Sequence, residues 1–350
     1  MPLPDTMPAW TVTAYGGPEV LDLREVPLPR PGPKDVLIRV AASTVSSGDR
    51  RIRALDFPPG LRLAGRLGLG WRRPRQPVLG AELTGTIVAT GTQVTRWHPG
   101  DAVIAMTGLR GGGHGAYARL PETAAMVPRP ADMPLEVAAA LSFGGTTARD
   151  FLRRGDLRPA ERVLVIGASG TVGSALVQLA VAGGAQVSAV TSAGNADLVA
   201  GLGVAEVIDY RRQNILTLGR TFDIVADTVG APGFAKGLPL LAEGGRYLAI
   251  DGSLRDMLVR RRAGRRCIAG PATERADDLA ALCDLWAAGR FAPLIDSTLP
   301  FEALPQAHAR ADSRRKRGSV VVVLPAAAWA GASQQRGQGI PASPVAPPPR

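Results

Sequence analysis

The chain has 350 residues, 45% of them hydrophobic and 5% aromatic, a balance that suits a soluble α/β protein with room for two full cores. Its two cysteines, Cys267 and Cys283, exclude a disulfide framework and a four-ligand structural zinc site. The net charge of +11 comes almost entirely from arginine, with lysine only at 34, 236 and 316. The arginine clusters Arg50–Arg53, Arg255–Arg266 and Arg310–Arg317 carry no interleaved aromatic residue, so bases would have no stacking platform and nucleic acid is not an expected partner. The N-terminus lacks the apolar segment of a signal peptide, which predicts a cytoplasmic protein with no membrane partner.

Residues 7–127 read as short strands separated by Pro/Gly turns, the pattern of a small β-rich barrel. Strands are predicted at Asp35–Ser43, Val78–Gly91, Asp101–Met106 and Gly115–Leu120. Between the first two, Arg50–Pro77 reads as an irregular, arginine- and glycine-rich insertion. Helical sequence begins at Pro134 to Phe143.

A nucleotide-binding unit follows. Val163 to Ile166 is a doubly buried strand, Gly167, Gly170 and Gly173 mark a turn, and Ala175, Leu176, Leu179 and Ala180 recur at helical spacing before a second strand at Val187–Val190. Strand, glycine turn, helix and strand within about 30 residues form a dinucleotide-binding βαβ unit. Gly167 and Gly170 would let the backbone approach a pyrophosphate, Gly173 would let the helix pack on the strand, and the N–H groups near Thr171 and Val172 would face the phosphates. Ala168 occupies the place of the usual first glycine, so the motif is a variant. The second strand ends in Thr191 and Ser192, with no acidic residue before Asp197. A site without that carboxylate accepts a 2′-phosphate, which favours NADPH over NADH, with Arg211 and Arg212 as nearby cations.

Later strands are predicted at Glu206–Ile208, Phe222–Asp227, Arg246–Asp251, Arg265–Ala269 and Ser319–Leu324, with a helix at Asp277–Ala288. Residues 325–350, rich in Pro, Ala, Gln and Gly, read as a disordered tail.

Several segments in this order carry a family resemblance: Gly16 to Leu21, Leu79-Gly80-Ala81-Glu82-Leu83-Thr84-Gly85, Pro99-Gly100-Asp101, Gly112 to Tyr117, Gly167 to Gly173, Val207 to Tyr210, and Asp227-Thr228-Val229-Gly230. The chain resembles the zinc-free, quinone oxidoreductase-like branch of the medium-chain dehydrogenase/reductases. That resemblance implies a Rossmann doubly wound parallel sheet at 128–291 and a GroES-like barrel domain split between 1–127 and 292–324. It also implies an active site in the cleft between them and a homodimer. Relatives that use zinc place Cys and His where this chain has the Ser43–Ser47 loop and Ala81, so no metal is expected. His98, His114 and His308 show no metal-ligand spacing.

By the same resemblance, Asp49, Thr147 and the stretch Ile250-Asp251-Gly252 lie near the nicotinamide. Ser169, Gly170, Thr171 and Val172 carry the pyrophosphate, Thr191, Ser192 and Tyr210 flank the adenosine, Gly230 lines the cofactor, and Arg317 approaches a phosphate. Thr147 is either a cofactor partner or a helix N-cap. Arg51 stands where some quinone reductases have Tyr, either as an oxyanion-stabilising group or as one of a solvated arginine run. The implied activity is NADPH-dependent hydride transfer to a quinone or an α,β-unsaturated carbonyl. The alternatives are an enoyl reductase of a biosynthetic pathway and a non-catalytic NADPH-binding sensor or scaffold.

Overall fold

The computed structural model describes residues 3–57 and 62–325. The tail expected at 325–350 therefore falls, apart from Pro325, outside the described residues. Two strands, β1 (Thr6–Val12) and β2 (Leu21–Pro27), pair as an antiparallel ribbon. A seven-stranded sheet then begins with β3 (Asp35–Val45), β4 (Glu82–Thr90), β5 (Ala102–Met106), β6 (Tyr117–Pro121) and β7 (Met126–Pro128). Val36, Ile38, Leu83, Ile87, Val103 and Leu120 turn one face of it into a closed apolar core.

The stretch expected to be an irregular insertion contains two helices: α1 spans Ser47–Ala54 and α2 Arg62–Leu69. The start of α1 is written locally. Ser46 and Asp49 form a reciprocal capping box, in which each side chain satisfies a backbone N–H near the other. The arginine run concealed this signal because its charge obscures the helical period.

A 20-residue helix, α3 (Leu135–Arg154), leads into the second sheet. Its strands are β8 (Arg162–Ile166), β9 (Gln186–Thr191), β10 (Glu206–Asp209), β11 (Phe222–Asp227), β12 (Leu241–Ala249), β13 (Arg261–Arg262) and β14 (Arg265–Ala269), in the order β10-β9-β8-β11-β12-β14-β13. All neighbours are parallel except β13 and β14. This is the doubly wound arrangement, with the order reversing beside β8, the place where such sheets bind ligands. Helices α3, α4 (Thr171–Ala182) and α8 (Ala276–Ala287) cover one face, while Phe234, Leu240 and Tyr247 fill the other. The short helices α5 (Ala196–Ala200), α6 (Phe234–Gly237) and α7 (Leu254–Leu258) occupy connections between strands.

β12 begins five residues before the strand expected at Arg246, because Gly244, at φ +72°, lies inside the strand rather than ahead of it. The chain then returns to the first sheet. β15 (Ile295–Pro300) pairs in parallel with β16 (Ser319–Val323), which adds antiparallel to β3, and α9 (Leu304–Asp312) joins them. β15 escaped the sequence reading because it is an edge strand with no clean alternation and a terminal proline.

Candidate active site

The glycine turn joins β8 to α4, and its three glycines do different things. Gly167 adopts φ +84°, and a Cβ there would lie 2.5 Å from Thr228 Oγ1. At Gly173 a Cβ would lie 2.1 Å from the Gly167 carbonyl oxygen, so the contact between helix and turn requires glycine. Gly170 is different: the only atom near a Cβ would be Gly167 O, at 3.5 Å. Nothing inside the protein demands glycine there, and the free space lies at the start of α4. The first backbone bond of that helix runs from Ser174 N–H to Gly170 O, which leaves the N–H groups of Thr171, Val172 and Gly173 ahead of the hydrogen-bonded ladder. This geometry fits a pyrophosphate, with the helix dipole adding to the attraction.

Lys316, which the sequence reading left unassigned, reaches this same point. Its ammonium donates to Thr171 Oγ1 and to Gly318 O, the latter at 2.7 Å. Thr171 donates to Gly318 O at 2.7 Å, and Gly318 N–H to Ser169 O at 3.0 Å, so the entry to β16 is laced to the turn. Burial pushes the Lys316 ammonium down to about 8, against the opposing pull of Asp296 and Glu82. Arg317 is exposed and uses its backbone N–H on Asp296. The cation at the helix start is thus Lys316 rather than Arg317. Only the chain's return through β15 and β16 brings it there.

The ends of β9 and β10 form the next part of the cleft. Thr191 is buried and donates to Ser169 Oγ at 3.2 Å, and Asn195 donates to the same oxygen at 3.1 Å. Ser192 is half-buried, and Tyr210 is exposed with the Arg211 guanidinium 5.9 Å from its ring. Asp209 is engaged by the Arg211 N–H at 3.0 Å, and Asp197 is exposed on α5. The end of β9 therefore presents hydroxyls and carries no acidic residue of its own, and its neighbour Asp209, opposite Thr191 on β10, is engaged by Arg211 and Arg212. Such a surface accommodates a 2′-phosphate.

At the opposite end, Asp227 organises the turn after β11. It accepts N–H bonds from Val229 (3.0 Å) and Gly230 (2.9 Å) and the Tyr247 hydroxyl (2.7 Å). Burial and this carboxylate raise the Tyr247 pKa, so the phenol stays protonated. Gly230 has φ +74°. Ile250, Asp251 and Gly252 follow β12, with Ile250 N–H bonded to Asp227 O. Thr147 lies in the interior of α3, whose N-cap is Pro134, so the N-cap reading of Thr147 is overturned. It sits one turn after Gly144, where a Cβ would meet Thr171 O at 2.7 Å, which places that side of α3 against the start of α4.

Asp49 and Arg51 both belong to α1 but differ in exposure. Asp49 is buried: Oδ2 accepts from Ser46 N–H (2.9 Å) and Oγ–H (2.6 Å), and Oδ1 from Gly80 N–H (2.9 Å). It ties α1 to the turn before β4. Arg51 reaches from α1 to Asp251 of the nucleotide-binding sheet and forms an ion pair across the cleft.

Behind this pair lies Glu82, the first residue of β4. It is buried and accepts from Phe143 N–H at 2.6 Å and from Thr44 Oγ1 at 2.5 Å. Burial pushes its carboxyl up to about 7. His114 and His308, far apart in sequence, meet edge-on with ring centroids 5.4 Å apart, and His114 Nε2 lies 3.0 Å from Thr44 O. Burial, then the neighbouring His114 and the charge of Arg53, lower the His308 pKa and keep that imidazole neutral. Among the described residues no three His, Cys, Asp or Glu side chains come together as a metal set. Both cysteines are buried in the nucleotide-binding half, on β14 and α8. The donors among the described residues thus form no zinc ligand set.

Residues 32–131 match the model of the alcohol dehydrogenase GroES-like domain, and residues 202–322 that of the zinc-binding dehydrogenases. A quinone oxidoreductase of Pseudomonas aeruginosa is 34% identical over 248 residues, which cover 68% of this chain and 71% of that protein. The chain belongs to the zinc-type alcohol dehydrogenase-like medium-chain dehydrogenase/reductase superfamily. Within this superfamily, the chloroplastic NADPH-dependent alkenal/one oxidoreductase of Arabidopsis thaliana is 28% identical over 331 residues, covering 91% of this chain and 80% of that protein. The superfamily fold is also that of the quinone oxidoreductase from Coxiella burnetii. That structure superposes with a TM-score of 0.82 at 23% identity, over 91% of this chain and all of the other. The superfamily name includes zinc, yet the position before Glu82 is Ala81 and no ligand set replaces it among the described residues.

Proposed function

We propose that the chain is an NADPH-dependent, zinc-independent reductase that passes hydride to a quinone or an α,β-unsaturated carbonyl. The observation that carries this reading is the pairing of a cation-lined glycine turn, free of an acidic residue at the end of β9, with a cleft that offers no metal donor set among the described residues. The names of the relatives, quinone oxidoreductase and NADPH-dependent alkenal/one oxidoreductase, support the same chemistry. We take the GroES-like domain to be 1–127 with 292–324 and the Rossmann domain 128–291. We also take the protein to be a cytoplasmic homodimer without a nucleic-acid partner.

The bound nicotinamide supplies the hydride. The N–H groups at the start of α4 and the Lys316 ammonium hold the phosphates, while Ser192, Tyr210 and Arg211 receive the adenosine end. Thr147 and the Ile250–Gly252 stretch line the nicotinamide end. Asp49 is a positioning residue, since both of its oxygens are occupied in fastening α1 to the Gly80 turn. That leaves Arg51 on the cleft side, where its guanidinium would stabilise negative charge on the oxygen of a bound substrate.

The test is oxidation of NADPH, with NADH in parallel, against quinones, enones and one acyl thioester, before and after chelator treatment. Chelator-resistant turnover that prefers NADPH and a quinone or enone is expected. Turnover that disappears with the metal would overturn the zinc-free mechanism. Tight NADPH binding with no acceptor reduced would point to a sensor or scaffold.

A further inference from the structure

The stretch that follows α1 is built the wrong way round for a helix that packs on its own protein. Soluble surface helices turn apolar residues inward. In α2 it is Gly65 that faces the body, where a Cβ would lie 3.0 Å from the Phe57 ring. Leu63 and Leu67, one turn apart on the other side, are 61% and 62% exposed, and Trp71 just beyond the helix is 59% exposed. Three of the large exposed apolar side chains of the described structure thus share one nine-residue stretch.

The stretch is held in place rather than loose. Tyr15 donates its hydroxyl to Gly70 O at 2.7 Å, Arg75 N–H bonds to Leu69 O at 2.6 Å, and the Arg66 guanidinium lies 5.7 Å from the Trp71 ring. Its charge is one-sided. Residues 57 to 81 contain arginine at 62, 66, 72, 73 and 75 and no Asp or Glu. Arg66, Arg72, Arg73 and Arg75 make no ion pair among the described residues, although every arginine of α1 and α9 does.

We propose that α2 and the Trp71–Arg75 hook dock the protein on an anionic membrane surface, with Leu63, Leu67 and Trp71 entering the headgroup layer and the arginines meeting lipid phosphates. Leucines beside an interfacial tryptophan, flanked by arginines without a carboxylate partner, match the two demands of such a surface, apolar insertion and positive charge. The occupant is identified by charge complementarity, since a stretch with five arginines and no carboxylate of its own, beside an apolar ridge, suits a negatively charged sheet of lipid. This departs from the absence of a membrane partner expected from the sequence, and it requires no spanning segment; among the described residues no helix is long and apolar enough to cross a bilayer. It stands independently of the proposed reaction.

The full-length protein should co-sediment with vesicles of phosphatidylcholine and phosphatidylglycerol in equal parts, far less with phosphatidylcholine alone, and release as salt rises. Each basic residue at an anionic surface contributes roughly fivefold to binding, so Arg72→Ala with Arg73→Ala should weaken it roughly 25-fold. Leu63→Ser with Leu67→Ser should weaken it by a similar factor. Retained NADPH binding in both variants shows that they fold. No association with the mixed vesicles, equal association with both kinds, or unchanged binding by either variant would overturn the proposal. So would analytical ultracentrifugation in which Leu63→Ser with Leu67→Ser splits an oligomer of the parent, because the ridge would then belong to a second copy.

Discussion

Arg51 and Asp251 are each other's partner across the cleft: one comes from α1 beside the barrel sheet, the other from the end of β12 in the nucleotide-binding sheet, and the ion pair they form is about 29% and 28% exposed at the side chains. The sequence suggested separate tasks for them, oxyanion stabilisation and cofactor lining. Their pairing means that the guanidinium is already oriented before a substrate arrives. A pair this exposed contributes about 0–1 kcal/mol to stability. Arg51→Met should therefore leave the urea midpoint nearly unchanged while lowering kcat/KM on the order of a hundredfold, mainly through kcat. Asp251→Asn, which frees the guanidinium without removing it, should cost far less. Equal losses in the two variants would mean that the ion pair, not Arg51 itself, serves the reaction.

Lys316 sets a pH limit on cofactor binding. Its folded-state pKa, about 8, lies below the ordinary 10.5, so the ammonium loses its charge as pH rises through about 8. NADPH affinity should be flat below that pH and fall above it. Lys316→Met should flatten the profile and weaken binding roughly tenfold to a hundredfold, the worth of a charge-assisted bond. The cofactor-free protein should show the opposite trend in stability. Its unfolded chain holds the lysine proton up to about 10.5, so the fold gains stability between about 8 and 10.5. Titration of NADPH by fluorescence across this range checks the first trend, and urea unfolding the second.

The two glycines that flank the start of α4 should respond differently to the same substitution. Gly173→Ala drives a methyl into the Gly167 carbonyl, and should cost about 3 kcal/mol or more in stability. Gly170→Ala meets only Gly167 O, at 3.5 Å, from an ordinary extended backbone, so the fold should be kept. Its methyl occupies the space assigned to the pyrophosphate, and NADPH affinity should fall by about tenfold or more. Unchanged affinity in Gly170→Ala would remove the phosphates from this turn.

Glu82 makes a second pH prediction. Burial raises its carboxyl from 4.5 to about 7, so the folded chain binds a proton that the unfolded chain has released between those values. Stability from this group is complete below about 4.5 and is lost as pH rises to about 7, a change of about 3 kcal/mol. Glu82→Gln keeps an acceptor for Phe143 N–H and offers an amide to Thr44, so it should fold. Relative to the parent it should gain about that much stability from pH 4.5 to 7. Parallel unfolding curves for the two proteins across this interval would refute the assignment.

What was legible in the chain itself is local. Four apolar residues, a glycine turn and a 3.6-residue period, all between Val163 and Ala182, specify strand, turn and helix because backbone geometry and side-chain periodicity act over neighbouring residues. The missing acid after Val190 and the Ala81 in place of a metal ligand are likewise read one position at a time. The Ser46/Asp49 capping box was equally local, but it was hidden in a run of arginines. Tertiary structure alone decided the rest. Lys316 reaches the start of α4 because β16 pairs with β3 and its entry bonds to Ser169, a closure over some 145 residues. His114 meets His308, and Arg51 meets Asp251, through the packing of separate elements. Such contacts leave no periodicity in the sequence. They depend on where whole sheets and helices come to rest, and a side chain's neighbours across the cleft are settled only when both sides are in place.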